Sequence, residues 1–296
     1  MNAAPLMISD GAAILKERKE MSMNVGIVIR HRAEGMRERF ASAAEQGFFH
    51  CQLVSWNPEL WTAENAEEIK ALSAEYGVEI TAFWCGWAGP RFWNFTEGPE
   101  TLGIVPVTFR AMRVQNLLDG AAYARLLNIQ SVITHMGYIP ENMTDPNYPG
   151  VVAAVKAVAM DLKQYGQNLL FETGQETPVV LLRLFEEVNT GNLFVNLDPA
   201  NLIQYGKANP IDALDVIGDY VRGVHAKDGF YPTNGRELGR EVKVGEGKVN
   251  FPVFLKALKA HGYDGSLTIE REISGEQQLI DIRETQTYLQ ELLKLM

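Results

Sequence analysis

The apolar and polar positions of the chain follow two alternating patterns. Short apolar runs rich in β-branched residues predict buried strands, and longer segments with apolar residues three or four positions apart predict amphipathic helices. The predicted strands are MNVGIVI (23–29), FHCQLVS (49–55), VEITAFW (78–84), QSVITH (130–135), NLLFE (168–172), NLFVNLD (192–198), VRGVHAKD (221–228) and SLTIERE (266–272). The predicted helices are 35–46, 62–76, 108–127, 149–165, 178–189, 210–219, 251–261 and 275–294.

Eight strands, each followed by a helix, are typical of a closed (β/α)8 barrel, also called a TIM barrel. The competing α/β fold is a doubly wound open sheet, which usually has about five to seven strands and a glycine-rich phosphate-binding turn. No such turn follows any of the predicted strands. We therefore predict an α/β protein in which residues 23–296 form a single (β/α)8-barrel catalytic domain and residues 1–22 form an N-terminal leader segment.

Composition narrows the class of protein further. The chain has 37 acidic and 27 basic residues, and a net charge of −10 disfavours a nucleic-acid partner. No stretch approaches the roughly 20 apolar residues that a membrane helix needs. The two cysteines, Cys51 and Cys85, are too few for a disulfide framework and suit a reducing compartment. We predict a cytoplasmic protein without nucleic-acid or membrane partners, and both a homodimer and a homotetramer are compatible with the sequence.

Two predicted connections, 85–107 and 229–250, are longer than usual, and long loops in compact domains are often functional. The first carries Trp87 and Trp93 after the third strand, at the end of a barrel where active sites form. One interpretation is a hydrophobic wall or lid over a substrate. The other is a surface excursion that packs on its own aromatic side chains.

The strongest chemical signal lies at the ends of the last four strands. Side chains alternate in and out along a barrel strand, and the apolar phase of each strand suits packing against the outer helices. The inner phase near the carboxyl ends then carries Glu172, Asp198, His225 and Glu270. Three carboxylates so placed would repel each other unless a cation lay among them. Three oxygen donors and one imidazole suit one divalent metal ion, Mn²⁺, Mg²⁺ or Co²⁺, with Zn²⁺ as a further candidate.

Each of these residues has an ordinary alternative role. A single acid at a strand end, such as Glu172 or Glu270, is often a helix cap or a salt-bridged rim residue. Asp198 precedes a proline and would suit a turn, and His225 would suit a buried core position. The metal site is favoured because all four residues share the inner phase of consecutive strands.

Further residues are candidates for substrate contact. His135 ends the fourth strand, where it could hydrogen bond to substrate or be satisfied within the core. Lys227 lies one inward layer above the metal-binding histidine and could meet a hydroxyl or a phosphate, or pair with a neighbouring acid such as Glu272. Trp84 and Trp87 could stack on the apolar face of a sugar.

Several segments resemble a known family. LLFETGQETP, VNLDPANLIQYG, VRGVHAKD, VGEGKVNF and GYDGSLTIEREISG are similar to the xylose isomerase-like barrel superfamily, especially its ketose 3-epimerase and inosose isomerase-like branches. The resemblance covers about a third of the chain by motif and the first half mainly by the order of elements. It implies a metal bound by Glu172, Asp198, His225 and Glu270, proton transfer by the two glutamates, and a small-molecule sugar substrate, free or phosphorylated.

The chain departs from the family pattern at two positions. Asn201 stands where a histidine often follows the metal-binding aspartate by three residues, and Tyr231 stands where some members have an arginine. The resemblance places Asn201 at a substrate-contacting position. The identity of the sugar does not carry over.

These observations predict a metal-dependent sugar isomerase or epimerase. A metal bridging a carbonyl and a neighbouring hydroxyl would stabilise the enediolate formed by proton abstraction, and Glu172 and Glu270 could serve opposite faces of the reacting carbon. A lyase or dehydratase acting on a keto-inositol or a 3-keto-glycoside begins with the same abstraction and stays open. A non-catalytic sugar-binding barrel is an alternative of another class. An endonuclease-type hydrolase is disfavoured by the acidic charge and by the presence of only five histidines.

Overall fold

The structure, a computed structural model, describes residues 23–296, and the predicted leader 1–22 lies outside the described residues. The strands are β1 (Asn24–Arg30), β2 (His50–Ser55), β3 (Glu79–Cys85), β4 (Ser131–Thr134), β5 (Asn168–Glu172), β6 (Leu193–Leu197), β7 (Val221–Ala226), β8 (Asp228–Gly229), β9 (Glu241–Val242) and β10 (Ser266–Ile269). The α-helices are α1 (Met36–Glu45), α2 (Ala63–Tyr76), α3 (Gly98–Thr101), α4 (Val107–Leu126), α5 (Tyr148–Gln164), α6 (Pro178–Val188), α7 (Pro199–Gln204), α8 (Pro210–Ile217), α9 (Phe251–Ala260) and α10 (Glu276–Lys294). Short 3-10 turns cover Pro58–Leu60 and Gly218–Tyr220.

Eight parallel strands close a barrel, in which β1 to β7 follow one another and β10 pairs with both β7 and β1. The predicted (β/α)8 barrel is confirmed. All eight predicted strands form barrel strands, and the eight predicted helices are also present. Because all strands run in the same direction, their carboxyl ends meet at one mouth of the barrel.

The alternation predicted for the strands separates two apolar layers. On β5, Leu169 and Phe171 face outward into the main core between the strands and the helices, whereas Leu170 belongs to a smaller cluster inside the barrel. The buried members of this inner cluster are Val54, Ala82, Trp84, Trp87, Leu102, Ile133 and Leu170. The inward-facing side chains of β5 are therefore the apolar Leu170 inside the barrel and then Glu172 at the mouth.

Four candidate residues follow the strands instead of lying within them, which corrects the predicted strand ends. β4, β6, β7 and β10 end one residue before His135, Asp198, Lys227 and Glu270, respectively. Asp198 caps α7, its Oδ1 accepting a hydrogen bond from the Asn201 amide at 2.8 Å. The next residue is a proline, which has no N–H for the strand ladder and suits a first helical turn. Glu270 stays close to the barrel because its amide donates to the Ala226 carbonyl at 3.3 Å.

A buried carboxylate orders the second long connection. β8 and β9 form a two-stranded antiparallel hairpin within residues 228–242. The Asp228 carboxylate accepts hydrogen bonds from the amides of Gly245, Gly247 and Val249 at 3.0–3.1 Å. These bonds occupy Asp228, so it belongs to the loop scaffold. Within residues 23–296, no helix is long and apolar enough to cross a membrane.

Candidate metal centre

The structure brings together the four strand-end residues predicted to bind a metal. Glu172, Asp198, His225 and Glu270 each offer a ligand atom, and these atoms all lie within 4.8 Å of one another. His225 Nδ1 lies 3.2 Å from Glu172 Oε1, 3.3 Å from Glu270 Oε2 and 3.7 Å from Asp198 Oδ2. The four side chains therefore face a common point at the barrel mouth.

Two buried atoms of this cluster form no hydrogen bond with the part of the chain that the structure describes. Across residues 23–296, Asp198 Oδ2 and His225 Nδ1 have no hydrogen-bond partner, although both side chains are fully buried. Unsatisfied buried polar atoms are rare because desolvation is costly. Their shared direction, together with two further carboxylates, fits a divalent cation held by oxygen donors and one imidazole.

The electrostatics of the cluster keep its carboxylates ionised. Burial would raise the pKa of Glu172, but His135 and His225 outweigh it and hold this pKa well below its ordinary value. Burial likewise opposes ionisation of Glu270, but Lys227 and His225 lower the pKa of Glu270 to about 2. Burial lowers the pKa of His225, yet the facing Glu172 and Glu270 raise it well above its ordinary value. The glutamates are thus in their proton-accepting form at neutral pH.

A glutamine inside the barrel orients His225. Gln52 on β2 places Oε1 2.7 Å from His225 Nε2, and its own Nε2 donates to Asn196 Oδ1 at 2.9 Å. Gln52 Oε1 can only accept a hydrogen bond, so His225 Nε2 carries a proton and donates to it, and Nδ1 is the ring nitrogen that faces the carboxylates. Sequence reasoning missed Gln52. The available signal was a polar residue in the middle of the buried strand HCQLVS.

A cavity of about 390 Å³ opens over the cluster and reaches Glu172 and Glu270. Of the predicted substrate-binding residues, Trp84, His135, Asn201 and Lys227 line this cavity. Tyr231, at the position where some family members have an arginine, is instead exposed and donates to the Gly206 carbonyl at 3.0 Å.

Three of these lining residues also fix Glu172. The Trp84 indole N–H donates to Glu172 Oε2, and Asn201 Nδ2 donates to Oε1 at 3.3 Å. His135 Nε2 lies 3.4 Å from Oε1, and its Nδ1 is 3.1 Å from the Glu172 carbonyl oxygen. Burial lowers the pKa of His135, but Glu172 outweighs burial and raises it. Glu172 is therefore held in one orientation toward the centre.

Lys227 links the cluster to the cavity rim. Its Nζ lies 3.3 Å from Glu270 Oε2, 2.8 Å from Glu272 Oε2, 3.6 Å from Asp198 Oδ2 and 3.3 Å from Asn201 Oδ1. Burial lowers the pKa of Lys227, but the facing carboxylates raise it well above its ordinary value. Lys227 is a buried cation that neutralises part of the acidic cluster.

Part of connection 85–107 lines the cavity, and another part packs in the core. Trp93 lines the cavity and is 40% exposed, whereas Trp87 is 2% exposed, belongs to the inner cluster and is not among the cavity-lining residues of the described chain. The buried Arg113 fixes this connection by donating to the carbonyls of Gly103 at 2.6 Å and Pro90 at 2.7 Å. Trp93 forms part of the cavity wall, whereas Trp87, predicted to stack on a sugar, packs behind it in the inner cluster.

Replacing the two tryptophans singly should separate these roles. Trp87→Ala is expected to lower the free energy of unfolding by about 3–5 kcal/mol, as large aromatic truncations in a core do. Trp93→Ala should change it by less than about 1 kcal/mol because the side chain is partly exposed. Urea unfolding followed by circular dichroism measures both. Equal losses in the two variants would contradict this division.

Comparison with known proteins places the chain in a family. A family model described as xylose isomerase-like TIM barrel matches residues 40–294. The chain belongs to this family. The resemblance drawn from the motifs of the second half is thereby confirmed.

Several known proteins align with most of this chain. A solved xylose isomerase domain protein from Planctomyces limnophilus is 32% identical, with a TM-score of 0.87 over 92% of this chain and 98% of that one. An uncharacterized protein from Methanocaldococcus jannaschii is 28% identical over 255 residues, 81% of this chain and 80% of its own length. A D-tagatose 3-epimerase-like protein is 22% identical with a TM-score of 0.71, over 92% of this chain and 98% of that chain, and shares the fold.

Proposed function

We propose that this protein is a divalent-metal-dependent isomerase or epimerase of a small sugar or sugar phosphate. The observation behind the proposal is the convergence of Glu172, Asp198, His225 and Glu270 on one point beneath a cavity. The fold of a D-tagatose 3-epimerase-like protein supports this reaction class.

The four residues would hold the ion through Glu172 Oε1, Asp198 Oδ2, His225 Nδ1 and Glu270 Oε2. When bound, a divalent ion supplies electrophilic stabilisation of the negative charge that develops on a carbonyl oxygen. Asp198 and His225 serve only as ligands in this proposal, because their remaining polar atoms are occupied by the Asn201 amide and by Gln52.

Glu172 and Glu270 move the proton. Two strands, β6 and β7, separate β5 from β10 in the barrel, so the two carboxylates approach the centre from different sides. Both are ionised at neutral pH, and either can remove a proton from a carbon bound between them. The other then returns a proton on the opposite face for epimerisation, whereas isomerisation needs one face only. His135, Asn201 and Lys227 contact substrate hydroxyls in this arrangement.

The proposal is tested by proton exchange. Ketoses, ketose phosphates and inososes are incubated in D₂O with the protein, with and without Mn²⁺, and followed by NMR. We expect metal-dependent deuterium incorporation next to a carbonyl and formation of an isomer or epimer. New alkene signals would instead indicate a lyase or dehydratase. Substrate binding without any exchange across the panel would indicate a non-catalytic sugar-binding barrel.

Gln52 should control metal affinity through His225. Gln52→Leu removes the acceptor of the His225 Nε2–H and is expected to weaken Mn²⁺ binding by about 10–100-fold, as loss of such outer partners commonly does. Gln52→Glu keeps an acceptor, and the unpartnered Asn196 Nδ2 can turn toward it, so this matched variant should retain most of the affinity. Isothermal titration calorimetry measures both. Equal affinities for the two variants would exclude this role of Gln52.

A further inference from the structure

Three arginines line the metal-centre cavity. Arg30 is the last residue of β1, Arg32 follows two positions later, and Arg91 comes from connection 85–107. All three line the cavity that also reaches Glu172 and Glu270. The chain as a whole is acidic, with a net charge of −10, so its overall charge does not account for this group of arginines.

Among the residues that the structure describes, the three guanidinium groups have no acidic partner. Elsewhere in the chain, arginines form ion pairs, such as Arg271 with Asp281 at 2.7 Å and with Glu241 at 3.0 Å. Over residues 23–296, no carboxylate oxygen lies within 4.0 Å of the Arg30, Arg32 or Arg91 side-chain nitrogens. Their charges therefore remain available to a ligand in the cavity.

An aromatic stack positions Arg91 relative to the metal centre. The Arg91 guanidinium lies 4.4 Å from the centre of the Trp56 ring, and Trp56 packs against Trp84 at 4.9 Å. The Trp84 indole in turn donates to Glu172. On the backbone side, the buried Arg113 donates to the Pro90 carbonyl directly before Arg91. Arg91 is thus tied to the metal-binding Glu172 by a packed and hydrogen-bonded path.

When a metal ion is bound, the charged groups of the cavity leave an excess of positive charge that favours binding of an anion. The basic groups are Arg30, Arg32, Arg91 and Lys227, and the facing carboxylates are Glu172, Glu270, Glu272 and the buried Asp198. With His135 and His225 counted as neutral, these groups balance, so a divalent ion would leave an excess of at least two positive charges. A phosphate carries about −1.5 to −2 at neutral pH and offers oxygens that match the guanidinium fork.

We propose that Arg30, Arg32 and Arg91 form an anion subsite that binds a phosphate or carboxylate group of the substrate. The anionic group lies at the mouth, and the reacting carbon lies deeper, between Glu172 and Glu270. The inference rests on the proposed function, because it names the substrate class of the same site. The subsite also provides basic contacts from the end of β1, from the segment just after it and from connection 85–107, whereas Tyr231, at the position where some family members have an arginine, is exposed.

Phosphate binding tests the subsite without relying on activity. Protein loaded with Mg²⁺, a diamagnetic ion, is titrated with inorganic phosphate and followed by ³¹P NMR, and the part of the binding that the arginine variants lose is assigned to the subsite. Arg32→Gln and Arg91→Gln should each weaken binding roughly tenfold or more, as loss of a charge-assisted hydrogen bond does. Arg222→Gln is the matched control, because Arg222 lies at the start of β7 and outside the cavity lining. Unchanged binding in the cavity variants, or equal weakening by the control, overturns the subsite.

Substrate panels then identify the anion and separate the two proposals. Metal-loaded protein is assayed with a neutral ketose, its phosphate and a keto-sugar acid. We expect Arg91→Gln to raise KM for the preferred anionic substrate about tenfold or more, with little change for the neutral ketose. Equal kcat/KM for the neutral ketose and both anions would reject the subsite and leave the isomerase proposal intact. Absence of exchange with every substrate, combined with arginine-dependent phosphate binding, would reject the isomerase proposal and retain the subsite.

Discussion

The purified protein is expected to bind about one divalent ion per chain and to lose its turnover when that ion is chelated. The reason is the pair of buried atoms Asp198 Oδ2 and His225 Nδ1, which have no hydrogen-bond partner within residues 23–296 and lie at the same centre as the two glutamates. Elemental analysis measures the stoichiometry. Dialysis against a chelator should abolish turnover, and Mn²⁺, Mg²⁺ or Co²⁺ should restore it.

The Asp198→Asn variant tests whether the ion binds at this centre. In the variant, the amide oxygen can still cap α7 through the Asn201 N–H, which turns an NH₂ group toward the centre, where it repels a cation. Metal affinity should fall by more than the roughly 10–100-fold typical of losing an outer partner. Asp219→Asn is the control, because Asp219 is exposed and pairs with His261 away from the cavity. If Asp198→Asn bound metal as tightly as the control, the ion would have to lie elsewhere.

The metal centre could be predicted because it depends on rules that act along single strands. Strand alternation sets which residues point inward, and parallel pairing brings all carboxyl ends to one mouth. The sequence therefore shows that four residues occupy equivalent inward positions near the strand ends: Glu172, Asp198, His225 and Glu270. The exact strand ends were less predictable, since Asp198 stops β6 by capping a helix.

Other parts of the site depend on contacts between distant segments. Arg30 reaches the cavity from the end of β1 and Arg91 from connection 85–107, and nothing in either segment alone specifies that meeting. Gln52 is recognisable as important only once His225 is seen beside it, 173 positions away. Trp87 and Trp93 are similar in sequence context, but the turn of the connection buries one and exposes the other. Lys227 lies within reach of both Glu270 and Glu272, which the strand pattern left open.

Substituting either glutamate by glutamine should reduce turnover by at least the roughly 10²–10⁴ that general acid–base catalysis commonly supplies. Glu172→Gln and Glu270→Gln each keep one oxygen donor and remove a proton acceptor, so metal affinity should weaken only moderately. Glu176→Gln is the matched control. Glu176 is a buried glutamate four residues beyond Glu172 that lies outside the metal cluster, and burial raises its pKa to about 7. Its variant should retain near-normal turnover.

Isotope exchange in these two variants should distinguish a two-base epimerase from a one-base isomerase. If Glu172 and Glu270 serve opposite faces of the carbon, the remaining carboxylate still exchanges the proton on its own face. Deuterium then enters one substrate epimer without product forming, and the labelled epimer differs between the variants. A one-base isomerase would lose exchange and turnover together in one variant and keep both in the other. Near-normal turnover in both variants at saturating Mn²⁺ would show that neither glutamate is the acid or the base.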